Sequence, residues 1–337
     1  MQVSAVAMSK RQAMKTIRAH SFGGPDVLQL DTVDDPVAND GEVVVEVKAV
    51  GVNPADTYML GGNYAIVPDL PYTPGGDAAG VISSVGNGVN HLNVGDRVFV
   101  GTALGFNMTG CYAEKVMRPA TDVVRLPDNV SFTAGATLGI PYATAHYGLF
   151  ARGNAVAGET VFIHGASGSV GTAAIQLAKR AGLTVIGSGG SDKGRELILE
   201  EGADHEVDHT TDGYLEKVRE LCGGEGPALI LEMLANVNLA ADLDLVAKHG
   251  RIIVIGNRGE ITINPRLTMM KNIDIKGLAL FNGGRQLMES IVEDLLADLS
   301  DGGLRPVIGK EMPLADAAKS HATVLAPGAF GKIVLLP

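Results

Sequence analysis

The sequence predicts an α/β protein in which a β-rich domain precedes a doubly wound parallel sheet. Three observations support this fold class. The 337-residue chain is longer than one small domain. Short strand patterns separated by glycine and proline fill its first third, and from about residue 138 strand patterns alternate with helical ones. Its composition, 46% hydrophobic and 19% charged, supplies apolar side chains for two cores.

The first domain is expected to span residues 1–137. Its strand patterns are 42–50, which ends at Gly51, and the shorter runs 80–86 and 96–100. Prolines lie in the loops between strands, where a missing N–H costs little: Pro54, Pro68, Pro71 and Pro74. Because Met8 and Met14 precede the first strand pattern, residues 1–13 are expected to form a flexible extension.

The second domain is expected to span residues 138–282. Its helical patterns at 170–181 and 193–201 stop at Gly182 and Gly202. Its strand patterns are at 160–164, 183–187, 228–231, 251–255 and 273–277. Residues 283–337 hold two helical patterns and a last strand, 332–336, and are expected to return to the first domain.

Charge and cysteine content exclude several classes of protein. The net charge is −11 and no cluster of Lys and Arg stands out, so nucleic acid is a poor partner. Two cysteines, Cys111 and Cys222, cannot build a disulfide framework, which favours a reducing compartment. We find no signal peptide pattern and no apolar run of transmembrane length. We therefore expect a cytoplasmic protein with no membrane partner.

A glycine-rich turn joins the strand at 160–164 to the following helix, the setting of a dinucleotide site. Gly165 would permit the tight turn, Gly168 the approach of a pyrophosphate, and Gly171 close packing of helix on strand. The free N–H groups of the helix would bind the phosphates. The disfavoured alternative is a turn with no ligand. The predicted cofactor-binding residues here are Gly165, Ala166, Ser167, Gly168, Ser169, Val170 and Gly171.

The strand after the turn favours NADPH over NADH. NAD enzymes usually carry an acidic residue about 20 residues beyond the first glycine, whereas residues 185–191 contain none. Ser188, Ser191 and Lys193 could instead hold a 2′-phosphate. Two alternatives stay open: a shifted loop could aim Asp192 at the ribose, and Lys193 could be an ordinary solvated side chain at a helix start.

No metal site is predicted. The string His205-Glu-Val-Asp-His209 matches a metalloprotease motif that works only on a helix. It follows Gly202 and has a strand pattern, and on a strand the two histidines would lie roughly 13 Å apart at about 3.3 Å per residue. The remaining histidines and the two cysteines show no ligand spacing.

Eight motifs spread along the chain from about Thr16 onward are typical of one known family. They are Phe22-Gly-Gly-Pro, Gly51-Val-Asn-Pro-Ala-Asp-Thr-Tyr, Leu70-Pro-Tyr-Thr-Pro-Gly-Gly-Asp, Gly95-Asp-Arg-Val-Phe, Gly139-Ile-Pro-Tyr, His164-Gly-Ala-Ser-Gly, Glu232-Met-Leu-Ala-Asn-Val-Asn-Leu and Ile263-Asn-Pro-Arg. On these motifs the chain resembles the zinc-independent quinone oxidoreductases, the zeta-crystallin-like branch of the medium-chain dehydrogenase/reductase superfamily. Zinc-containing relatives have Gly-His-Glu where this chain has Gly75-Gly76-Asp77, and their first cysteine ligand falls near Asn53.

The resemblance implies a GroES-like catalytic domain, a Rossmann domain and an active site between them. It places Asn53 and Tyr58 beside the nicotinamide and Tyr64 and Thr144 around that pocket. Lys193 matches the usual phosphate-binding lysine, whereas the role of His209 stays open because some relatives have an aromatic residue there. Further residues in segments that approach the cofactor are Asn236, Asn257, Arg258 and Lys332.

The resemblance also implies the reaction and the assembly. We expect NADPH-dependent reduction of a quinone without a metal, by hydride or single-electron transfer, with Tyr58 and Asn53 donating hydrogen bonds to the carbonyl oxygen. Reduction of a 2-alkenal or enoyl substrate is an alternative that the sequence leaves open. A non-catalytic or RNA-binding role, known among vertebrate relatives, is disfavoured by the acidic balance. A homodimer through the strand near 273–280 is expected.

Overall fold

The computed structural model describes residues 12–328 and 330–337. Most of the expected flexible extension 1–13 lies outside the described residues, and Ala13 already begins the first strand. In this described part of the chain, we find no helix long and apolar enough to span a membrane.

The strands are β1 (Ala13–Ala19), β2 (Leu28–Asp34), β3 (Glu42–Val52), β4 (Asp77–Val85), β5 (Arg97–Val100), β6 (Lys115–Pro119), β7 (Val123–Arg125), β8 (Thr160–Ile163), β9 (Thr184–Gly189), β10 (His205–Asp208), β11 (Leu229–Glu232), β12 (Arg251–Val254), β13 (Asp274–Gly277), β14 (Ile308–Pro313) and β15 (Lys332–Leu336). The helices are α1 (Pro54–Leu60), α2 (Thr102–Gly105), α3 (Phe132–Gly135), α4 (Ala143–His146), α5 (Ser169–Arg180), α6 (Asp192–Glu200), α7 (Tyr214–Leu221), α8 (Ala235–Leu245), α9 (Arg266–Lys271), α10 (Arg285–Ser300) and α11 (Ala317–Leu325).

The first domain, which the resemblance predicts to be a GroES-like catalytic domain and which we call the catalytic domain, is built on a mostly antiparallel seven-stranded sheet. Its strand order is β14-β15-β3-β4-β5-β7, with β6 also paired to β3, and β1 and β2 form a separate antiparallel pair. The central strand β3 alternates as expected for a pleated strand, since Val45 and Val47 are buried whereas Glu46 and Lys48 are exposed. The buried valines belong to the core of this domain.

The Rossmann domain contains a six-stranded parallel sheet of order β10-β9-β8-β11-β12-β13, the doubly wound arrangement predicted from the sequence. Side chains of β8 alternate between its two faces. Val161 and Ile163 pack into the core shared with α5, and Phe162 packs into the core on the opposite face. The string that contains His205 is strand β10, as predicted. Within the described sheet, β10 and β13 are the two edge strands.

Residues after 283 contact both domains. Side chains of α10, among them Ile291 and Leu295, share a core with α5, whereas β15 pairs with β3 of the catalytic sheet. The sequence does not predict β14, because its Ile-Gly-Lys-Glu-Met-Pro lacks a run of β-branched residues. Just before β15, the Gly331 N–H donates to the Ser167 carbonyl of the glycine turn over 2.8 Å. This contact brings the turn next to the catalytic domain.

Candidate active site

A cleft of 830 Å³ lies between the catalytic sheet and the Rossmann sheet. Both domains supply its walls, so a ligand bound there would contact both at once. Of the predicted site residues, those that line the cleft are Asn53, Tyr58, Tyr64, Thr144, Gly165, Gly168, Ser169, Val170, Gly171, Asn257 and Arg258. Apolar side chains that the sequence analysis did not single out complete the lining, among them Phe106, Ile140, Leu278 and Leu280.

The glycine turn has the backbone geometry that its three glycines require. Gly165 has a φ of +55°, which favours glycine. A Cβ on Gly168 would meet only the Gly165 oxygen, at 3.4 Å, so this position is open toward the cleft. A Cβ on Gly171 would lie 2.5 Å from the Ala166 Cα, so a larger residue would push α5 away from the turn.

The start of α5 fits a dinucleotide phosphate. No side chain caps this helix at Gly168, and the first N–H groups of a helix have no acceptor within it. These groups carry partial positive charge and face the cleft. Two other predicted residues of the turn do not line the cleft: Ala166 is fully buried, and the Ser167 carbonyl accepts from Gly331.

The two predicted serine hydroxyls serve the local backbone. Ser188 is fully buried, and its Oγ accepts from the Gly165 N–H over 3.2 Å. Ser191 caps α6, because its Oγ accepts from the Gly194 N–H over 3.2 Å. Ser188 therefore positions the glycine turn in this structure instead of facing the cleft.

Lys193 and His209 are exposed near the carboxyl end of β9. The Lys193 Nζ lies 4.8 Å from the centroid of the Phe330 ring, and His209 packs beside Gly190. The neighbouring Arg195 is paired with Asp192 and, over 2.8 Å, with Asp208. Asp192 is therefore already paired with Arg195, so the Lys193 ammonium is available to bind a 2′-phosphate.

Tyr58 and Arg258 meet across the cleft. The Arg258 Nε donates to the Tyr58 hydroxyl oxygen over 3.1 Å. Tyr58 belongs to α1 of the catalytic domain, and Arg258 to the loop after β12 of the Rossmann domain. Asn236 does not line the cleft; its Oδ1 accepts from the Arg258 backbone N–H over 2.9 Å and so holds this loop.

The Asn53 side chain is engaged by buried charged groups, which corrects the donor role expected for it. Its Oδ1 accepts from the Lys332 Nζ over 2.5 Å, and its Nδ2 donates to the Asp77 Oδ2 over 2.9 Å. The remaining amide hydrogen lies toward the Gly51 oxygen, 3.5 Å from Nδ2. Asn53 therefore lines the cleft without a free donor for a substrate carbonyl.

Lys332 is likewise an internal residue and does not line the cleft, contrary to the cofactor-binding role expected for it. Its side chain is fully buried and also contacts the Asp77 Oδ2 at 3.2 Å. Burial lowers the pKa of Lys332 and raises the pKa of Asp77, while each opposes the shift of the other. The pair therefore forms an internal support beneath the start of α1.

A second buried carboxyl lies beside this pair. Asp56 accepts from the Asn53 N–H over 2.9 Å and from the Tyr112 hydroxyl over 3.1 Å, and Tyr112 in turn contacts the His321 Nε2 at 3.2 Å. Burial is the main reason that the pKa of Asp56 is raised to about 7; the nearby Asp77 acts in the same direction, and Lys332 opposes the shift. Asp56 therefore retains a proton up to near neutral pH.

A third buried cluster lies directly before the glycine turn. The His164 Nε2 is 2.8 Å from the Asp242 Oδ1 and 3.3 Å from the Glu232 Oε2. All three side chains are buried. Burial raises the pKa of Glu232 and of Asp242 to about 7 and lowers that of His164. The sequence does not predict this cluster, because its members lie in three separate parts of the Rossmann domain.

The shortest contact in this cluster has the length of a hydrogen bond. The cluster is the one group of potential metal ligands found among residues 12–328 and 330–337. Two tetrahedral ligands of zinc, each about 2.0 Å from the ion, would lie about 3.3 Å apart. The 2.8 Å separation between His164 and Asp242 is instead a normal hydrogen-bond length. In this arrangement a neutral His164 donates to Asp242, and burial raises the pKa of both neighbouring carboxyl groups.

Comparison with known proteins agrees with the two-domain architecture. The family model described as "Alcohol dehydrogenase GroES-like domain" matches residues 39–128, and that described as "Zinc-binding dehydrogenase" matches residues 169–298. A quinone oxidoreductase of Homo sapiens is 41% identical over 97% of this chain and 98% of that protein. A quinone oxidoreductase of Rattus norvegicus is 43% identical over the same shares.

Solved structures give the same result for the fold. The crystal structure of Escherichia coli quinone oxidoreductase complexed with NADPH superposes with a TM-score of 0.86 at 28% identity. The match covers 96% of this chain and all of that chain. A Pseudomonas syringae quinone oxidoreductase superposes with a TM-score of 0.88 at 30% identity over the same shares.

The buried cluster predicts a pH-dependent stability. Because the pKa of Glu232 is raised from 4.5 to about 7, folding retains a proton that the unfolded chain releases. The contribution of the Glu232 carboxyl to the free energy of unfolding is at its maximum below pH 4.5 and is lost as the pH rises to about 7. Glutamine does not titrate in this range. The free energy of unfolding of Glu232→Gln, measured by urea denaturation, should therefore rise relative to that of the wild type by roughly 3 kcal/mol from pH 5 to pH 8. Glu216→Gln, on the exposed face of α7, is the control, and an equal difference at both pH values contradicts the raised pKa of Glu232.

Proposed function

The chain belongs to the quinone oxidoreductase family of the medium-chain dehydrogenase/reductase superfamily, and from that premise we propose that it reduces quinones with NADPH and without a metal ion. The observation that carries this proposal is the continuous cleft, which joins the uncapped start of α5 to the Tyr58–Arg258 contact. A dinucleotide bound at α5 would extend toward a substrate beside Tyr58. The relatives described above are quinone oxidoreductases, and the Escherichia coli protein was crystallised with NADPH.

The residues around α5 fit the cofactor. The N–H groups at the start of the helix would bind the pyrophosphate, since a Cβ at Gly168 is absent and the approach is open. Lys193 would bind the 2′-phosphate that distinguishes NADPH from NADH. When bound, NADPH supplies two electrons and one hydrogen, so that a quinone and one proton become a hydroquinone.

The catalytic domain would supply the proton and exclude water. The Tyr58 hydroxyl oxygen accepts from Arg258, which leaves its own O–H free to donate to a substrate oxygen. Apolar side chains such as Phe106 and Leu280 line the cleft and suit a flat, uncharged ring. Asn53, held by Lys332, supports the start of α1 and therefore the position of Tyr58.

We further propose a homodimer through β13. This strand is an edge of the described Rossmann sheet and exposes 38% of Ile275, and the adjacent α9 exposes Met269 and Met270. A second copy could pair with this edge and cover the apolar side chains. Ile275→Lys should convert dimers into monomers in sedimentation velocity, whereas Val94→Lys, a change at an exposed valine of the catalytic domain, should not. A wild type that sediments as a monomer contradicts this assembly.

The substrate class is tested by comparing acceptors. NADPH oxidation should be fast with p-benzoquinone and slower by at least tenfold with a 2-alkenal at the same NADPH concentration. A saturated aldehyde should show no turnover, because it is not activated by conjugation. Faster turnover with the 2-alkenal would make the chain an alkenal reductase, and no turnover with either acceptor would refute the enzymatic proposal.

The cofactor preference is tested at Lys193. Lys193→Ala should lower kcat/KM for NADPH by about ten- to a hundredfold, the value of one or two charge-assisted hydrogen bonds, and should leave kcat/KM for NADH nearly unchanged. Lys217→Ala, at an exposed lysine of α7, is the matched control. Equal losses with both dinucleotides would mean that Lys193 does not recognise the 2′-phosphate.

A further inference from the structure

Arg258 carries a charge that no acidic side chain neutralises within the described residues. Salt bridges occupy many arginines of the chain, for example Arg195 and Arg251, whereas the polar contact of the Arg258 guanidinium is with Tyr58. Arg258 lines the cleft beside Tyr58. A guanidinium is charged at every working pH, so this wall of the cleft holds a permanent cation.

The direction of the hydrogen bond fixes the role that Tyr58 can have. The Arg258 Nε has no lone pair to accept with, so Arg258 donates and the Tyr58 oxygen accepts. A phenol has one hydrogen, which must then point to another acceptor. The Asn53 side chain is engaged with Lys332 and Asp77, and among the described residues it makes no hydrogen bond with Tyr58. A substrate oxygen in the cleft can take this place.

The loop that carries Arg258 is held in place by its neighbours. The Arg258 backbone N–H donates to the Asn236 Oδ1 over 2.9 Å, and the Asn257 Nδ2 donates to the Gly259 oxygen over 2.7 Å. The guanidinium thus reaches Tyr58 from an ordered turn of the Rossmann domain. This arrangement makes the contact a preorganised one, which needs little rearrangement during the reaction.

We infer that Arg258 is a positioning residue of the reaction, acting through Tyr58. Its guanidinium turns the Tyr58 O–H toward the substrate oxygen and stabilises the phenolate oxygen left when that proton has moved. The proton goes from Tyr58 to the reduced substrate, and solvent returns one proton to Tyr58 afterwards. This inference rests on the proposed function and adds to it a cation whose effect depends on Tyr58.

The effect should be greater in the transition state than in the ground state. A hydrogen bond to an ionised acceptor is roughly twice as strong as one to a neutral acceptor. As Tyr58 loses its proton, the contact with Arg258 therefore strengthens, and interactions that strengthen in this way raise kcat instead of lowering KM. A residue that only bound the cofactor would instead change KM for NADPH.

A double-mutant cycle tests the inference with the full-length protein and p-benzoquinone. Tyr58→Phe should lower kcat by about a hundredfold, and Arg258→Met by about tenfold or more, with KM for NADPH changed less than twofold. In the Tyr58→Phe background, Arg258→Met should have almost no further effect. Arg258→Lys should recover part of kcat, and added guanidinium should partly rescue Arg258→Ala but not Tyr58→Phe.

Arg266→Met is the matched control, since Arg266 is an exposed arginine of the same connection that does not line the cleft. It should leave kcat and KM unchanged. Additive effects of the two cleft substitutions, or a loss confined to KM for NADPH, overturn the inference. If the wild type prefers a 2-alkenal, the cycle is measured with that acceptor. A wild type without turnover on either acceptor refutes the proposed function itself, and the inference with it.

Discussion

The buried ammonium of Lys332 is the interaction on which the geometry of the cleft depends. It links β15 to Asp77 on β4 and to Asn53 at the start of α1. Residue 331, immediately before it, donates a backbone hydrogen bond to the glycine turn. One short segment thus fixes the turn that faces a dinucleotide and the helix that carries Tyr58. Removing one partner of such a buried ion pair leaves the other charge uncompensated. This destabilises the folded protein more than replacing the whole pair with apolar residues would.

The cleft combines two different uses of buried polar groups. Beneath it, Lys332 contacts Asn53 and Asp77, and Asp56 accepts from the Asn53 N–H, so these groups hold the start of α1 in place. At its surface, the Tyr58–Arg258 contact leaves the Tyr58 hydroxyl hydrogen and the positive charge of Arg258 available to a ligand. The buried cluster of His164, Glu232 and Asp242 likewise supports the glycine turn, which directly follows His164. The interior therefore restricts motion, while the free donors are concentrated where a ligand can reach them.

Features that depend on local sequence could be predicted. The glycine turn, the alternation of strands and helices, and the strand character of 205–208 all follow from neighbours within a few residues. The family resemblance added the fold of the first domain, and the comparisons confirmed it. Strand β14 could not be predicted, because it forms by pairing with β15 and not from its own β propensity.

The contacts of the site could not be predicted, because they join distant parts of the chain. Lys332 and Asn53 are 279 residues apart, and Arg258 and Tyr58 are 200 apart. Sequence placed all four near the cofactor but could not show that Lys332 faces inward and Arg258 outward. Burial decides this difference: Lys332 is 1% exposed, whereas Arg258 is exposed at the cleft.

The backbone contact between Gly331 and Ser167 has a consequence for biosynthesis. During translation, the segments 42–85 and 160–171 are synthesised before β15, so neither can make its contacts with β15 until residues 331–336 have followed. The Lys332 ammonium leaves water only when these residues dock, and it then enters the site formed by Asn53 and Asp77. Nascent chains that have not yet made this step would present both buried carboxyl groups and an unpaired edge of β3 to solvent and to molecular chaperones.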